Sequence, residues 1–153
     1  MSIPLRRERP LRRIGFLHLV PFTEADPAAG LRDALDLFAY AESLGFDSGW
    51  VRTRHLQYGA PAPAVMLTAL AGVTTTLELG NAVIPLEFEN PRRFAEDFAV
   101  ADLLSGGRLR PGLSVHPPRY AEETNNLVFG EGWRQEDYSY GRIELLLELL
   151  RGQ

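Results

Sequence analysis

Residues 77–86 read Leu-Glu-Leu-Gly-Asn-Ala-Val-Ile-Pro-Leu, and residues 90–109 read Asn-Pro-Arg-Arg-Phe-Ala-Glu-Asp-Phe-Ala-Val-Ala-Asp-Leu-Leu-Ser-Gly-Gly-Arg-Leu. The first segment is a short apolar run bounded by proline, which predicts a buried strand. The second opens with Asn90 and Pro91, a pairing typical of a helix N-cap and first helical position. It closes on a glycine turn into another apolar segment. The stretch therefore predicts a strand, a loop, a capped helix and the start of a further strand.

The same alternation continues on both sides of this stretch. Strands are predicted at residues 14–20, 46–51, 77–84 and 108–115. Helices are predicted to begin after Asp26, at Pro61 or Pro63, after Asn90 and near Glu136. Residues 116–135, rich in Pro, Gly, Asn and charge, are predicted to form a long loop.

Four alternating strands and helices predict an α/β fold with parallel strands and right-handed crossovers. An open doubly wound sheet and a (β/α)8 barrel both fit this order. No Gly-x-Gly-x-x-Gly follows the first strand, so a Rossmann nucleotide site is not indicated.

The composition is that of one globular domain, which we place at residues 14–153. Of the 153 residues 45% are apolar and 24% charged, and the net charge of -4 gives no reason to expect a nucleic-acid partner. Residues 1–13 contain five arginines and are predicted to form a flexible arm. There is no cysteine, and no apolar run is long enough to span a membrane, so we expect a cytoplasmic protein with no membrane partner.

The candidate site lies at the carboxyl ends of the strands, where ligands bind in both architectures. His18, His55 and His116 all lie at or just after predicted strand ends. His55 follows Arg54, whose charge disfavours a second cation and is expected to keep the imidazole neutral. Taken alone, His55 is better explained as a solvated loop histidine. Ser114, at the end of the fourth strand, can donate a hydrogen bond to a ligand or can simply be a small barrel residue.

Other chemistries have little support. No His-x-His or His-Glu-x-x-His spacing indicates a metal site. A hydrolase using His55 or His116 as a base has no Gly-x-Ser-x-Gly nucleophile sequence to accompany it.

Several segments together resemble one enzyme family, the bacterial luciferase-like flavin monooxygenases. The resemblance extends over nearly all of residues 13–152, and Leu-Leu-Ser-Gly-Gly-Arg-Leu at 103–109 is its most specific part. The other matching segments are residues 44–47, 50–55, 79–86 and 90–92.

This resemblance implies about half of a (β/α)8, or TIM-barrel-like, fold that holds reduced FMN at its C-terminal face. It implies a monooxygenase that uses reduced flavin and O2 on a small organic substrate, with a flavin reductase as a partner. Some relatives use a deazaflavin coenzyme for hydride transfer instead, so a deazaflavin-dependent oxidoreductase is one alternative. A non-catalytic half-barrel that binds flavin or another protein is the other.

The resemblance also implies roles for individual residues. Ala82 and Val83 match a cis peptide beneath the flavin ring, and Ser114 matches a position that faces the flavin. His55 matches the second histidine of a Glu-His-His pattern, whose first histidine is Arg54 here; we expect these two side chains to be the catalytic polar groups. The chain also departs from the family at two positions after Ser114. The family often has an arginine where this chain has Val115, and a glycine is expected where this chain has His116.

The length of the chain raises a separate expectation. Four strand–helix units make half a barrel, whereas a complete one takes about 250 residues. We therefore expect a homo-oligomer or pairing with a second half-barrel, unless the chain is a piece of a longer protein.

Overall fold

The computed structural model of the protein describes residues 11–152. Most of the predicted N-terminal arm lies outside this range, and its last residue, Arg13, pairs with Glu78 at 2.6 Å. The strands are β1 (Gly15–His18), β2 (Ser48–Val51), β3 (Glu78–Pro85) and β4 (Leu109–Ser114). The helices are α1 (Pro27–Ser43), α2 (Pro63–Val73), α3 (Pro91–Ser105), α4 (Glu122–Phe129) and α5 (Gly141–Leu150), with 3₁₀ turns at Leu86–Phe88 and Trp133–Gln135.

The four strands form one parallel sheet in the order β1-β2-β3-β4. Ser48 of β2 pairs with Gly15 of β1 on one side and with Glu78 of β3 on the other, and Leu79 pairs with Leu109 of β4. Each strand therefore lies beside its neighbour in sequence, the order found in a barrel rather than in a doubly wound sheet. The prediction of parallel (β/α) units is confirmed.

Local capping explains where α1 begins and where α3 begins and ends. The Asp26 carboxylate accepts a hydrogen bond from the Ala29 amide, and Asn90 accepts from the amides of Arg92 and Arg93. α3 ends at Gly106, whose φ of 71° is a left-handed conformation that glycine adopts without steric cost.

The hydrophobic core lies between the helices and one face of the sheet. Phe38 of α1, Leu67 of α2 and Leu79 of β3 are fully buried, and Phe16 packs edge-on against Phe38 with ring centroids 4.7 Å apart. Because side chains alternate along a strand, Leu17 points to the opposite face, where it is 53% exposed. No helix within residues 11–152 is long and apolar enough to cross a membrane.

A bulge interrupts β3 near its carboxyl end. Asn81 pairs with Pro111 and Ile84 with Leu113, so β3 has one more residue than β4 over this interval. The Ala82–Val83 peptide within the bulge is cis, as the sequence resemblance predicted. A Cβ on Gly112 would lie 2.5 Å from the Asn81 carbonyl oxygen, so the close approach of β4 requires glycine.

The prediction of a loop over residues 116–135 is wrong. This segment contains α4 and the 3₁₀ turn at Trp133–Gln135, and Gly130, with a φ of 82°, ends α4. The last helix begins at Gly141, five residues after the predicted Glu136.

Glu42 fastens α1 to the start of β3. Its carboxylate accepts hydrogen bonds from the backbone amides of Thr75, Thr76 and Leu77 and from both threonine hydroxyls. Burial alone would raise the pKa of this carboxyl, but the hydrogen bonds outweigh burial and lower the pKa to about 2.

We predict that Glu42→Gln lowers the free energy of unfolding at pH 7 by about 1–2 kcal/mol, since hydrogen bonds to a charged group are lost at a partly exposed site. The pKa of Glu42 is lowered on folding, so its contribution is present above the ordinary value of 4.5 and is lost as pH falls towards about 2. Urea unfolding of the parent and the variant at pH 7 and pH 3 measures the loss of unfolding free energy at each pH, with exposed Glu148→Gln as the control. An equal loss at both pH values would contradict the prediction.

Candidate functional site

A cavity of about 410 Å³ opens at the carboxyl ends of the strands. Parallel pairing brings the four strand ends to one edge of the sheet, so the loops that follow β2, β3 and β4 all reach it. The cavity is lined by Leu17, Arg52, Thr53, Arg54, His55, Gln57, Ala82, Val83, Pro85, Glu87, Phe88, Ser114, His116 and Tyr120.

All five residues selected from the sequence line this cavity. Arg54 and His55 come from the loop after β2, Ala82 and Val83 from the bulge of β3, and Ser114 from the end of β4. The structure therefore brings together residues as far apart in sequence as Arg54 and Ser114.

Of the three histidines, only His55 and His116 line the cavity. His18 ends β1 at the same edge of the sheet, as expected, but its side chain does not line the cavity. His18 Nδ1 accepts a hydrogen bond from the Val20 amide at 3.2 Å, and its ring lies edge-on to Phe38 of α1, on the helix-covered face. Burial lowers the pKa of His18.

His55 is held by a stack of aromatic rings. Its imidazole lies parallel to the Phe88 ring, with centroids 4.0 Å apart and planes 7° apart. Burial lowers the pKa of His55, so the ring is neutral near pH 7 as predicted, but burial and not the charge of Arg54 is the cause. His55 Nε2 is buried and has no hydrogen-bond partner among the described residues.

Phe88 is a site residue that sequence reasoning missed. Its ring contacts Phe129 of α4 at 4.9 Å and Tyr120 at 6.0 Å, in addition to His55. The helix α4 therefore closes one side of the aromatic cluster. The acidic first turn of α4 and the glycine after it were the sequence signals that could have revealed this helix.

Glu87 is the second missed residue, and among residues 11–152 it is the only carboxylate on the cavity lining. Its Oε1 lies 3.3 Å from His116 Nδ1, while Oε2 is buried with no hydrogen-bond partner in the part of the chain described. Burial raises the pKa of Glu87, although His116, Arg119 and Arg142 oppose that effect.

Arg142 of α5 fixes the turn that carries Glu87. Its Nε donates to the Leu86 carbonyl at 3.0 Å, and its Nη2 donates to the Glu89 carbonyl. The side chain of Arg142 is only 12% exposed, so these bonds are largely shielded from water. A helix distant in sequence thus sets the position of the loop after β3.

The charges on the lining suit an anionic or strongly polar ligand. Arg52 and Arg54 carry two positive charges against the single carboxyl of Glu87. Within residues 11–152, no cluster of three or more His, Asp and Glu side chains is arranged to hold a metal ion.

A parallel sheet with a polar and aromatic cavity at its carboxyl edge defines an α/β protein with a candidate small-molecule site. A sequence model of the luciferase-like monooxygenase family matches residues 13–151. The chain therefore belongs to the luciferase-like monooxygenase family, as its sequence motifs indicated.

Individual relatives agree with this assignment. The chain is 30% identical over 129 residues to the F420-dependent glucose-6-phosphate dehydrogenase of Amycolatopsis mediterranei, covering 80% of this chain and 37% of that enzyme. Its structure superposes on monooxygenase RslO1 from Streptomyces bottropensis with a TM-score of 0.72 and 22% identity, over 89% of this chain and 42% of the other.

A third similarity is to the oxygenating constituent of 3,6-diketocamphane monooxygenase from Pseudomonas putida, solved in complex with FMN. The TM-score is 0.63 at 16% identity, over 91% of this chain and 37% of that one. The chain spans well under half the length of the relatives it matches. The described sheet therefore corresponds to part of their fold.

Proposed function

We propose that this chain is part of a flavin-dependent oxidoreductase that oxygenates a small organic substrate with reduced flavin and O2. The observation that carries the proposal is the convergence of Arg54, His55, Ala82, Val83 and Ser114 on one cavity. Family membership supports the reaction class.

The lining of the cavity fits a flavin. Its volume of about 410 Å³ falls within the usual range for small-molecule pockets, which is about 300–1,000 Å³. Val83 offers an apolar contact that is 44% exposed, and the Ser114 hydroxyl can donate to a ring carbonyl. The guanidinium groups of Arg52 and Arg54 complement a phosphate or an anionic ring.

The residues of the chain orient the cofactor and control its surroundings, whereas a bound flavin supplies the redox chemistry. His55, neutral near pH 7, offers a ring nitrogen that is not yet hydrogen-bonded within the described structure. The aromatic cluster around Phe88 limits water on that side. We propose His55 and Arg54 as the polar groups beside the ring or substrate, and a separate flavin reductase as the source of reduced flavin.

A deazaflavin coenzyme is the second candidate cofactor. The relative from Amycolatopsis mediterranei, which matches 80% of this chain, is named as F420-dependent. The positive charges of Arg52 and Arg54 suit an anionic deazaflavin as well as they suit FMN. With that cofactor the reaction would be hydride transfer, and O2 would not be consumed.

Titration of the protein with FMN, followed by quenching of flavin fluorescence, tests the proposal. We predict that Ser114→Phe weakens binding at least about tenfold, a loss of about 1.4 kcal/mol, because the larger side chain fills the cavity. The matched control is Ser43→Phe on the exposed end of α1, which should bind as the parent does. Repeating both titrations with a deazaflavin decides between the cofactors. Equal affinity for the two variants would contradict the proposed site.

We also propose that a second copy of the chain, or a second half-barrel, covers the exposed face of the sheet. Within the described residues β1 pairs only with β2 and β4 only with β3, which leaves two edges with free backbone groups. Leu17 and Val83 lie on that face and are 53% and 44% exposed. Burying such side chains is favourable, at about 25 cal/mol per Å² of apolar surface.

Light scattering measures this association directly. We predict a molar mass of at least twice the 17.1 kDa of one chain, because burial of the apolar face favours pairing. Leu17→Arg should shift the protein towards the monomer, whereas Leu127→Arg, at an 86% exposed position on α4, should not. A monomeric parent protein at micromolar concentration would contradict self-association and would leave a different second chain as the partner.

A further inference from the structure

Glu87 and His116 form a contact that flavin binding does not account for. The two side chains differ sharply in exposure, 3% for Glu87 and 35% for His116. Oε1 of Glu87 faces Nδ1 of His116 at 3.3 Å, and the other carboxyl oxygen has no partner among the described residues. Burying a carboxyl group with one oxygen unsatisfied is costly, so its position calls for a functional explanation.

The surroundings of His116 Nδ1 determine which ring nitrogen carries the proton. Nδ1 lies 2.9 Å from the Pro117 carbonyl oxygen and 3.3 Å from Glu87 Oε1. Both neighbours are hydrogen-bond acceptors, so a neutral His116 carries its proton on Nδ1 and leaves the lone pair on Nε2. Both residues are on the cavity lining, but the Glu87 side chain is almost completely buried whereas that of His116 is partly exposed.

The charged and titratable groups around Glu87 come from three parts of the chain. His116 and Arg119 belong to the segment after β4, Arg142 belongs to α5, and Tyr138 precedes α5. Burial raises the pKa of Glu87, while the nearby positive charges lower it. A positive charge on His116 therefore favours the ionised form of the Glu87 carboxyl.

We propose that His116 accepts a proton through Nε2 from a weakly acidic hydroxyl group of a ligand in the cavity, with Glu87 as the positioning residue that orients the ring. In this step the O–H bond of the ligand breaks and its electron pair stays on oxygen. A new N–H bond forms at Nε2, giving an imidazolium whose charge the Glu87 carboxylate offsets. The inference rests on the proposed function only in using the same cavity.

The cavity also contains positive charges that can stabilise the anion formed in this step. Arg52 and Arg54 are on the same lining, and their guanidinium groups stabilise a negatively charged oxygen. A ligand with a weakly acidic hydroxyl, such as a phenol or an enol, therefore suits both His116 as the proton acceptor and the two arginines as partners of the resulting anion. A simple alkane would match neither.

Nitrogen-detected NMR of the ¹⁵N-labelled chain at about pH 8, where histidines are largely neutral, reads the tautomer of each ring. We expect the Nδ1–H form for His116. His18 is an internal control with the opposite expectation, because its Nδ1 accepts from the Val20 amide and must be unprotonated. The His116→Gln variant assigns the signals.

Variants of Glu87 then test its positioning role. Glu87→Leu leaves the Pro117 carbonyl as the remaining acceptor of the two, so it should reduce the share of the Nδ1–H form without abolishing it. Glu87→Gln keeps an oxygen acceptor and should retain the share found in the parent protein. Glu89→Leu, two residues along the same loop, is the matched control and should change nothing at His116. Added phenol, whose weakly acidic hydroxyl stays protonated at this pH, should perturb Nε2 of His116 and leave His18 unchanged.

An Nε2–H form of His116 in the parent protein would overturn the proposal. So would an unchanged tautomer ratio in Glu87→Leu, or an Nε2 signal that does not move when phenol is added. If Glu87→Leu fails to fold, the tautomer of the parent protein and the phenol titration decide. None of these readouts requires flavin. A chain that shows the expected histidine signals but binds no flavin would refute the proposed cofactor and leave the Glu87–His116 pair standing.

Discussion

The parallel pairing of four consecutive strands is the constraint on which the rest of the structure depends. A parallel connection must return the chain to the start of the next strand, so each strand needs a crossover helix. This explains the layer of helices over one face of the sheet and the core between them. It also brings all four carboxyl ends to one edge, and the cavity is a direct consequence.

Hydrogen bonds between distant segments refine this arrangement around the cavity. Asn81, fully buried in the bulge of β3, donates to the Thr53 hydroxyl at 3.1 Å and so connects the bulge to the loop after β2. Arg142 connects the loop after β3 to α5. The candidate site is therefore positioned by contacts that extend well beyond its own lining. Rigid support of this kind is what orientation of a cofactor requires.

Much of the fold could be predicted from sequence because it is encoded locally. Apolar runs located the strands, and Asp26 and Asn90 marked helix starts through a single side chain each. The helix α4 was missed because its polar residues resemble a loop, and its packing through Phe129 depends on tertiary contacts. The contact between Glu87 and His116 could not be predicted, because the two residues are distant in sequence and only the pairing of β3 with β4 brings them together.

Hydrogen–deuterium exchange with and without saturating FMN tests most directly whether the cavity at the strand ends is the cofactor site. We predict slower exchange on FMN binding in three separate segments, residues 52–58, 82–88 and 114–120, because all three contribute to the cavity lining. Placement of the cofactor in this cavity also predicts no change around the apolar groove lined by Phe98, Leu109 and Leu150, on the other side of the sheet. Protection at that groove, or no protection in the three segments while FMN is bound, would contradict it.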